Sequence, residues 1–280
     1  MNEVNKTMYI PLYGKAYVSR KGILLQDPKA EEIWAVEGFA LKGKSKSKWL
    51  AYYMAMRARV FDQWLQEKMA NDLSAVVLHL GCGMDSRVIR VAAEVNQENE
   101  SGQDTAVCQD SAMGHWYDVD FPEVIAERKR YYQESDHYHM IASDVRDPQW
   151  LQQIPDDHHA IVVLEGISMY LTSEELNDVL TRLSGHFTSV QILMDCYTTF
   201  AAKASKYKNP INDVGVTQVY GLDDPTVLES GTGLRYVREH EMTPEAMINE
   251  LTGMERAIFS KVYGGEMSRR LYRMYELAGK

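Results

Sequence analysis

The sequence predicts a doubly wound α/β fold, a mostly parallel sheet with helices on both faces. Three observations carry that prediction. Ala75 to His79 is a short apolar run rich in valine, broken at Gly81 and Gly83 and followed by helical spacing from Met84 to Arg90. Further strand-like runs then alternate with helical ones. The turns after three of these strands carry an acid, Asp120, Asp144 and Glu165. In open α/β sheets ligands bind beyond the carboxyl ends of the strands, which is where such acids fall.

The bulk numbers bound the answer. A chain of 280 residues, 45% hydrophobic and 25% charged, suits one large globular domain. Its net charge of -10 argues against a nucleic-acid backbone as the main partner, though a local basic patch could still make such contacts. Cys82, Cys108 and Cys196 contain no Cys-x-x-Cys pair, and an odd number makes a poor disulfide framework, so a reducing cytoplasm is expected. The start, Met1-Asn-Glu-Val-Asn-Lys6, lacks a signal-peptide core, and no apolar run approaches a membrane span. No membrane partner is expected.

Residues 1 to about 30 read as mixed, with Pro11, Gly14, Gly22 and Pro28 as breakers. A helix is predicted after Asp27, with Pro28 in its first turn. Lys42 to Lys48 is a basic polar loop, a solvated linker or a phosphate-binding patch. Trp49 to Met69 has apolar residues at helical spacing and makes a long amphipathic helix. Arg57 lies on its apolar side with Tyr53, Phe61 and Trp64. A partly buried guanidinium needs an anion, either a protein carboxylate or a ligand.

After the strand at Ala75 to His79, the glycine turn opens a helix whose N-terminus leaves backbone N–H groups for a ligand. Residues 96 to 113 form a polar surface excursion. The second strand is Trp116 to Asp120, and Pro122 begins the next helix. Asp120 can accept hydrogen bonds from ribose hydroxyls or cap that helix. The third strand is His139 to Ser143 and the fourth Ala160 to Leu164, with a capping box at Thr172 to Glu175 opening the following helix. The fifth is Val190 to Asp195. From Tyr197 to about Thr232, lysines, glycines and prolines mark an insertion, helical at Phe200 to Tyr207 and suited to a substrate lid. A strand near Leu234 to Glu239, a helix from Thr243 to Met254, a strand near Ile258 to Tyr263 and a charged terminal helix close the chain.

These motifs resemble the leucine carboxyl methyltransferase superfamily, in its bacterial O-methyltransferase branch. The shared stretches are Met56 to Asp62, Leu80-Gly-Cys-Gly-Met-Asp-Ser-Arg87, Tyr117 to Val124 with Lys129-Arg130, Ser143 to Asp147, and Glu165-Gly-Ile-Ser-Met-Tyr-Leu171. They run in order over about residues 8 to 195, and the remainder matches loosely. The resemblance implies a Rossmann-like class I S-adenosylmethionine-dependent methyltransferase fold with a central seven-stranded sheet. It implies one domain: a helical cap at 1–72, a cofactor-binding core at 73–196, a lid at 197–232, and the end of the sheet at 233–280.

S-adenosylmethionine is the implied cofactor. The resemblance puts Arg57 and the Gly81, Cys82, Gly83 turn at its carboxylate, Asp120 at the ribose, Asp144 and Val145 at the adenine, and Glu165 with Gly166 near its amino end. Cys82 stands where alanine or threonine is commoner in the family. Arg87 is expected to pair with Asp85 or Asp120. Lys15 and Tyr13 are expected to approach the pocket.

The resemblance implies O-methylation of a small-molecule acceptor, with polyketide-like molecules among the candidates, and transfer from a sulfonium needs alignment and exclusion of water. A carboxylate acceptor needs no base; a phenol or enol is helped by one, for which His79, His115, Tyr170 and lid residues are candidates. Tyr170 is also placed at the acceptor pocket, with Met169, although both could equally be core contacts. His137, His139, His158 and His159 read as surface or strand-end residues, and no metal-ligand spacing is present. Two alternatives stand beside this one. A nicotinamide-dependent oxidoreductase uses the same turn, but Ser86 and Arg87 replace the third glycine region of its fingerprint. A cofactor-binding member without catalysis is the other.

Overall fold

The structure is a computed structural model of the chain, and it describes residues 7–37, 41, 43–97, 114–156, 158–208 and 218–280. A seven-stranded sheet with order β3-β2-β1-β4-β5-β7-β6 runs through the centre. Its strands are β1 (Val76–Leu80), β2 (Trp116–Asp120), β3 (Tyr138–Ala142), β4 (His159–Leu164), β5 (Ser189–Tyr197), β6 (Leu234–His240) and β7 (Tyr272–Gly279). The first five are parallel, and β7 runs antiparallel to both neighbours. The helices are α1 (Tyr9–Lys21), α2 (Pro28–Glu37), α3 (Lys48–Asn71), α4 (Arg87–Gln97), α5 (Pro122–Arg128), α6 (Ser173–His186), α7 (Thr199–Lys208), α8 (Glu245–Ile248), α9 (Gly253–Tyr263) and α10 (Gly265–Arg269).

Strand alternation divides the core in two. Val76, Leu78 and Leu80 pack toward α6, while Val77 faces the layer that holds α1 and α3. Parallel register then aligns the strand ends. Leu80 lies opposite Val119 and Leu164, and Asp120 opposite Ala142, so Gly81, Asp120, Ser143 and Glu165 emerge in one row. Thr172 forms the expected capping box with Glu175.

Two sequence expectations fail. Residues 9–21, read as broken by Pro11 and Gly14, form one helix. Pro11 is its third residue, where the missing N–H belongs to the unpaired first turn and costs nothing. The end of the chain is also inverted: Gly253–Tyr263 is helix, and the final strand is Tyr272–Gly279. The charges that make that terminal segment look helical are matched across space. Glu276 meets Lys68 at 2.8 Å and Arg238 at 2.8 Å, and Arg273 meets Glu239 at 2.9 Å. The helix from Met84 begins later, at Arg87, because Met84 to Ser86 remain in the turn. Strand β5 continues to Tyr197, into the first residue of the expected lid. Of that lid, 209–217 lie outside the described residues, as do Cys108 and most of the 96–113 excursion.

Candidate active site

The glycine turn has the backbone its residues allow. Gly81 and Gly83 take φ of +68° and +51°, which side chains other than glycine rarely adopt. A Cβ on Gly81 would come 2.0 Å from Ile167 Cγ2, and one on Gly83 3.1 Å from Met8 Cβ. Asp120 completes the turn. Its carboxylate accepts from the Gly83 N–H at 2.8 Å and the Phe121 N–H at 2.7 Å. It is therefore tied to the turn rather than capping α5 deeper in its first turn. Burial pushes its pKa up to about 6, against the pull of those two N–H groups and Arg128.

Arg57 has both protein acids around it. Its guanidinium meets Glu165 at 2.9 Å and Asp195 at 2.9 Å, while its buried Nε has no hydrogen-bond partner. Asp195 also accepts the Gly166 N–H at 2.6 Å. Sequence spacing did not point to Asp195, since it comes from β5, 138 residues away from Arg57. Burial alone would raise the Glu165 carboxyl, but Arg57, Arg87 and Lys15 outweigh it and bring it to about 2.

Behind Glu165 the buried charges continue. Arg87 pairs with Glu165, with Asp62 at 2.6 Å and with Asp85 at 3.5 Å, and it does not reach Asp120. Arg90 meets Asp27, Asp62 and Asp85 at 2.7 to 2.8 Å, and Lys15 meets Asp85 at 3.0 Å. Each of these side chains is buried, so each must be paired. The cluster sets Asp27, Asp62, Asp85, Glu165 and Asp195 against Lys15, Arg57, Arg87 and Arg90, one acid more than bases.

A cavity of about 750 Å³ opens over this row. Arg57, Gly81, Cys82, Gly83, Asp120, Asp144, Val145, Glu165, Gly166 and Tyr170 all line it, and so does Lys15. Tyr13 does not; its ring packs tilted against Trp34 instead, at 5.1 Å between centroids. Asp144 is held by a bidentate pair to Arg146 at 2.6 to 2.9 Å. The other half of the cavity is apolar and rich in tyrosine. Tyr53, Tyr170, Tyr197 and Tyr272 meet there with Ser268 and Ala201, and the sequence pointed only to Tyr170. Tyr170 sits in a short turn, Ser168–Tyr170, and burial raises its hydroxyl above the ordinary range.

The expected bases fare differently. His79 is buried on β1, 3.0 Å from Arg87 and 3.4 Å from Asp118, and burial lowers its pKa, so the ring stays neutral and tied. His115 stands before β2, at the opposite end of the sheet, 3.1 Å from His139. Among the described residues no group of three or more His, Cys, Asp or Glu side chains could hold a metal ion. No helix among them is long and apolar enough to cross a membrane.

A comparison with known proteins decides the family. The leucine carboxyl methyltransferase model matches residues 13–184. The chain belongs to this family. It is thereby an S-adenosylmethionine-dependent methyltransferase, and the nicotinamide reading is not favoured. It is 31% identical over 204 residues to the tetracenomycin polyketide synthesis O-methyltransferase TcmP of Streptomyces glaucescens, covering 72% of this chain and 69% of that one. It is 28% identical over 207 residues to the S-adenosyl-L-methionine-dependent methyltransferase dpfgK of Gibberella zeae, covering 69% and 64%. In fold it is similar to magnesium protoporphyrin IX methyltransferase from Synechocystis, with a TM-score of 0.51 at 12% identity over 89% of this chain and 93% of that one.

The residues of this methyltransferase fit its cofactor. The two glycines leave the strand end open to close approach, and Asp120 keeps spare lone pairs beside the turn. Arg57 lines the cavity, and the extra acid of the buried cluster suits a ligand with net positive charge.

Proposed function

We propose that this methyltransferase esterifies a carboxylate of a small, apolar, polyketide-like acid. The observation that carries the reading is the chemistry of the tyrosine-lined half of the cavity. Its hydroxyls are held protonated by burial, and His79 and Glu165 are both engaged by Arg87. Asp195, the other acid beneath it, is held by Arg57 at 2.9 Å and by the Gly166 N–H at 2.6 Å. An acceptor that arrives as a carboxylate needs no base. The polyketide relative supports the acceptor class.

The bound cofactor supplies an electrophilic methyl group on a sulfonium, ready for displacement by oxygen. Arg57, with Gly81, Cys82 and Gly83, would hold the methionine end, and Glu165 with Gly166 would take its amino group. Asp120 would receive the ribose hydroxyls, and Asp144 and Val145 would hold the adenine. Tyr170 walls the acceptor side, and the apolar lining excludes water from the line of attack. Among the described residues the segments would divide the work: those of 1–72 cap the cofactor, those of 73–196 bind it, those of 197–232 close over the acceptor, and 233–280 completes the sheet. Tyr220 N–H, bonded to the Met169 carbonyl at 2.8 Å, supports the placing of that lid beside Tyr170. The free thiols Cys82 and Cys196 support a reducing cytoplasm.

The test is product chemistry. The enzyme is incubated with methyl-labelled S-adenosylmethionine and a panel of aromatic carboxylic acids, each paired with its phenolic analogue. The expected product releases methanol in mild alkali, as a methyl ester does. An alkali-stable methyl ether would overturn the carboxylate reading.

A further inference from the structure

The tyrosine-lined half of the cavity contains a hydroxyl pair built by two distant elements. Tyr53 is on α3, one helical turn before Arg57, so the two side chains share a face. Ser268 is on α10, just ahead of β7. Their hydroxyl oxygens lie 3.1 Å apart, both side chains are 4% exposed, and both line the cavity.

Two hydroxyls have two protons between them. One is spent within the pair. Tyr53 also directs its hydroxyl to Met242 Sδ at 3.6 Å, a weak acceptor. A buried donor offered only to a thioether is a donor in reserve. The ring that carries it is fixed by Tyr272, at 5.6 Å between centroids, and by Tyr263, at 6.2 Å.

The charge of these donors also suits the reaction. A carboxylate loses its negative charge as it takes the methyl group. A full cation against it would stabilise the starting complex more than the transition state and slow the transfer. Arg57, the nearby guanidinium, is already neutralised by Glu165 and Asp195. Neutral hydroxyls can hold the non-reacting oxygen without that penalty.

We infer that Tyr53 and Ser268 form the acceptor-binding site: when the acid binds, the pair opens and both neutral hydroxyls donate to one carboxylate oxygen, leaving the other free to attack. The inference rests on the carboxylate reading above. It makes these two residues, rather than Arg57, the determinants of acid over neutral acceptors.

Calorimetry on the full chain saturated with S-adenosylhomocysteine separates the two. The probes are naphthoate and its uncharged analogue naphthalenemethanol. Wild type is expected to prefer the acid. Tyr53→Phe and Ser268→Ala should each weaken naphthoate by about tenfold, as loss of a hydrogen bond to a charged group does, and leave naphthalenemethanol unchanged. Ser268→Thr, which keeps the hydroxyl, should restore the preference. Unchanged melting temperature and S-adenosylhomocysteine affinity show that the variants fold. If wild type prefers the acid and both variants keep that preference, the hydroxyl-pair assignment is overturned while the carboxylate reading stands. If wild type shows no preference for the acid, or binds neither probe, the carboxylate reading falls and takes this assignment with it.

Discussion

The two halves of the cavity are built by different means. The half over the strand ends is made of backbone and charge: the Gly81 and Gly83 turn, Asp120 on its N–H groups, and Arg57 between two carboxylates. The tyrosine-lined half is made of side chains from α3, α7, α10, β5, β7 and the Ser168–Tyr170 turn. A site built on backbone turns tolerates little change, because each part is fixed by the next. A site lined by side chains can change its lining while the scaffold stands. The first half should therefore answer mutation through stability and cofactor affinity together, and the second through the acceptor alone.

The sharpest break comes at Arg57. Arg57→Ala leaves Glu165 and Asp195 buried without their shared partner, and removing one member of a buried pair costs about 3–5 kcal/mol. Denaturant unfolding should show that loss. Arg57→Lys, which keeps a charge, should keep the fold while still weakening S-adenosylmethionine. Unimpaired cofactor affinity in the lysine variant would place Arg57 in the scaffold alone.

Gly81→Ala comes next. Left-handed backbone costs an alanine about 1–2 kcal/mol, and the new methyl group collides with Ile167. Cofactor affinity should fall about tenfold or more, measured by calorimetry.

Asp120 gives a smaller and pH-dependent effect. Asp120→Ala should lose roughly 1–3 kcal/mol of cofactor affinity. In wild type the affinity should fall as pH drops through about 6, because the added proton removes an acceptor of ribose hydroxyls. Stability moves the other way in this window. The folded carboxyl holds a proton that the unfolded chain has released, so the Asp120 contribution to stability falls as pH rises toward about 6. A cofactor affinity that is flat across that range would remove Asp120 from the ribose site.

The smallest effect is expected in the other half. Ala204 is exposed at the cavity rim, so Ala204→Leu should change stability by no more than about 0.5 kcal/mol. It should shift the acceptor KM with the S-adenosylmethionine Kd unchanged. A change in both would erase the distinction between the halves.

The same distinction explains what could be read from the chain beforehand. A valine-rich apolar run, two glycines and the acids at Asp120, Asp144 and Glu165 are local patterns, and they carried both the fold class and the residues over the strand ends. Tyr53 shares the helical spacing of Arg57, but nothing local links it to Tyr197, Tyr272 and Ser268. They come together only because β7 inserts between β5 and β6 and brings α10 against α3.

By itself, then, the sequence determined the doubly wound sheet, the glycine turn and the acids beyond it, because each depends on neighbours a few residues apart. Tertiary structure decided the identity of the last strand, the Asp195 partner of Arg57 and the tyrosine chamber. In each of those, charge neutralisation or burial by a distant segment outweighs the local preference, and no short window of the chain contains both partners.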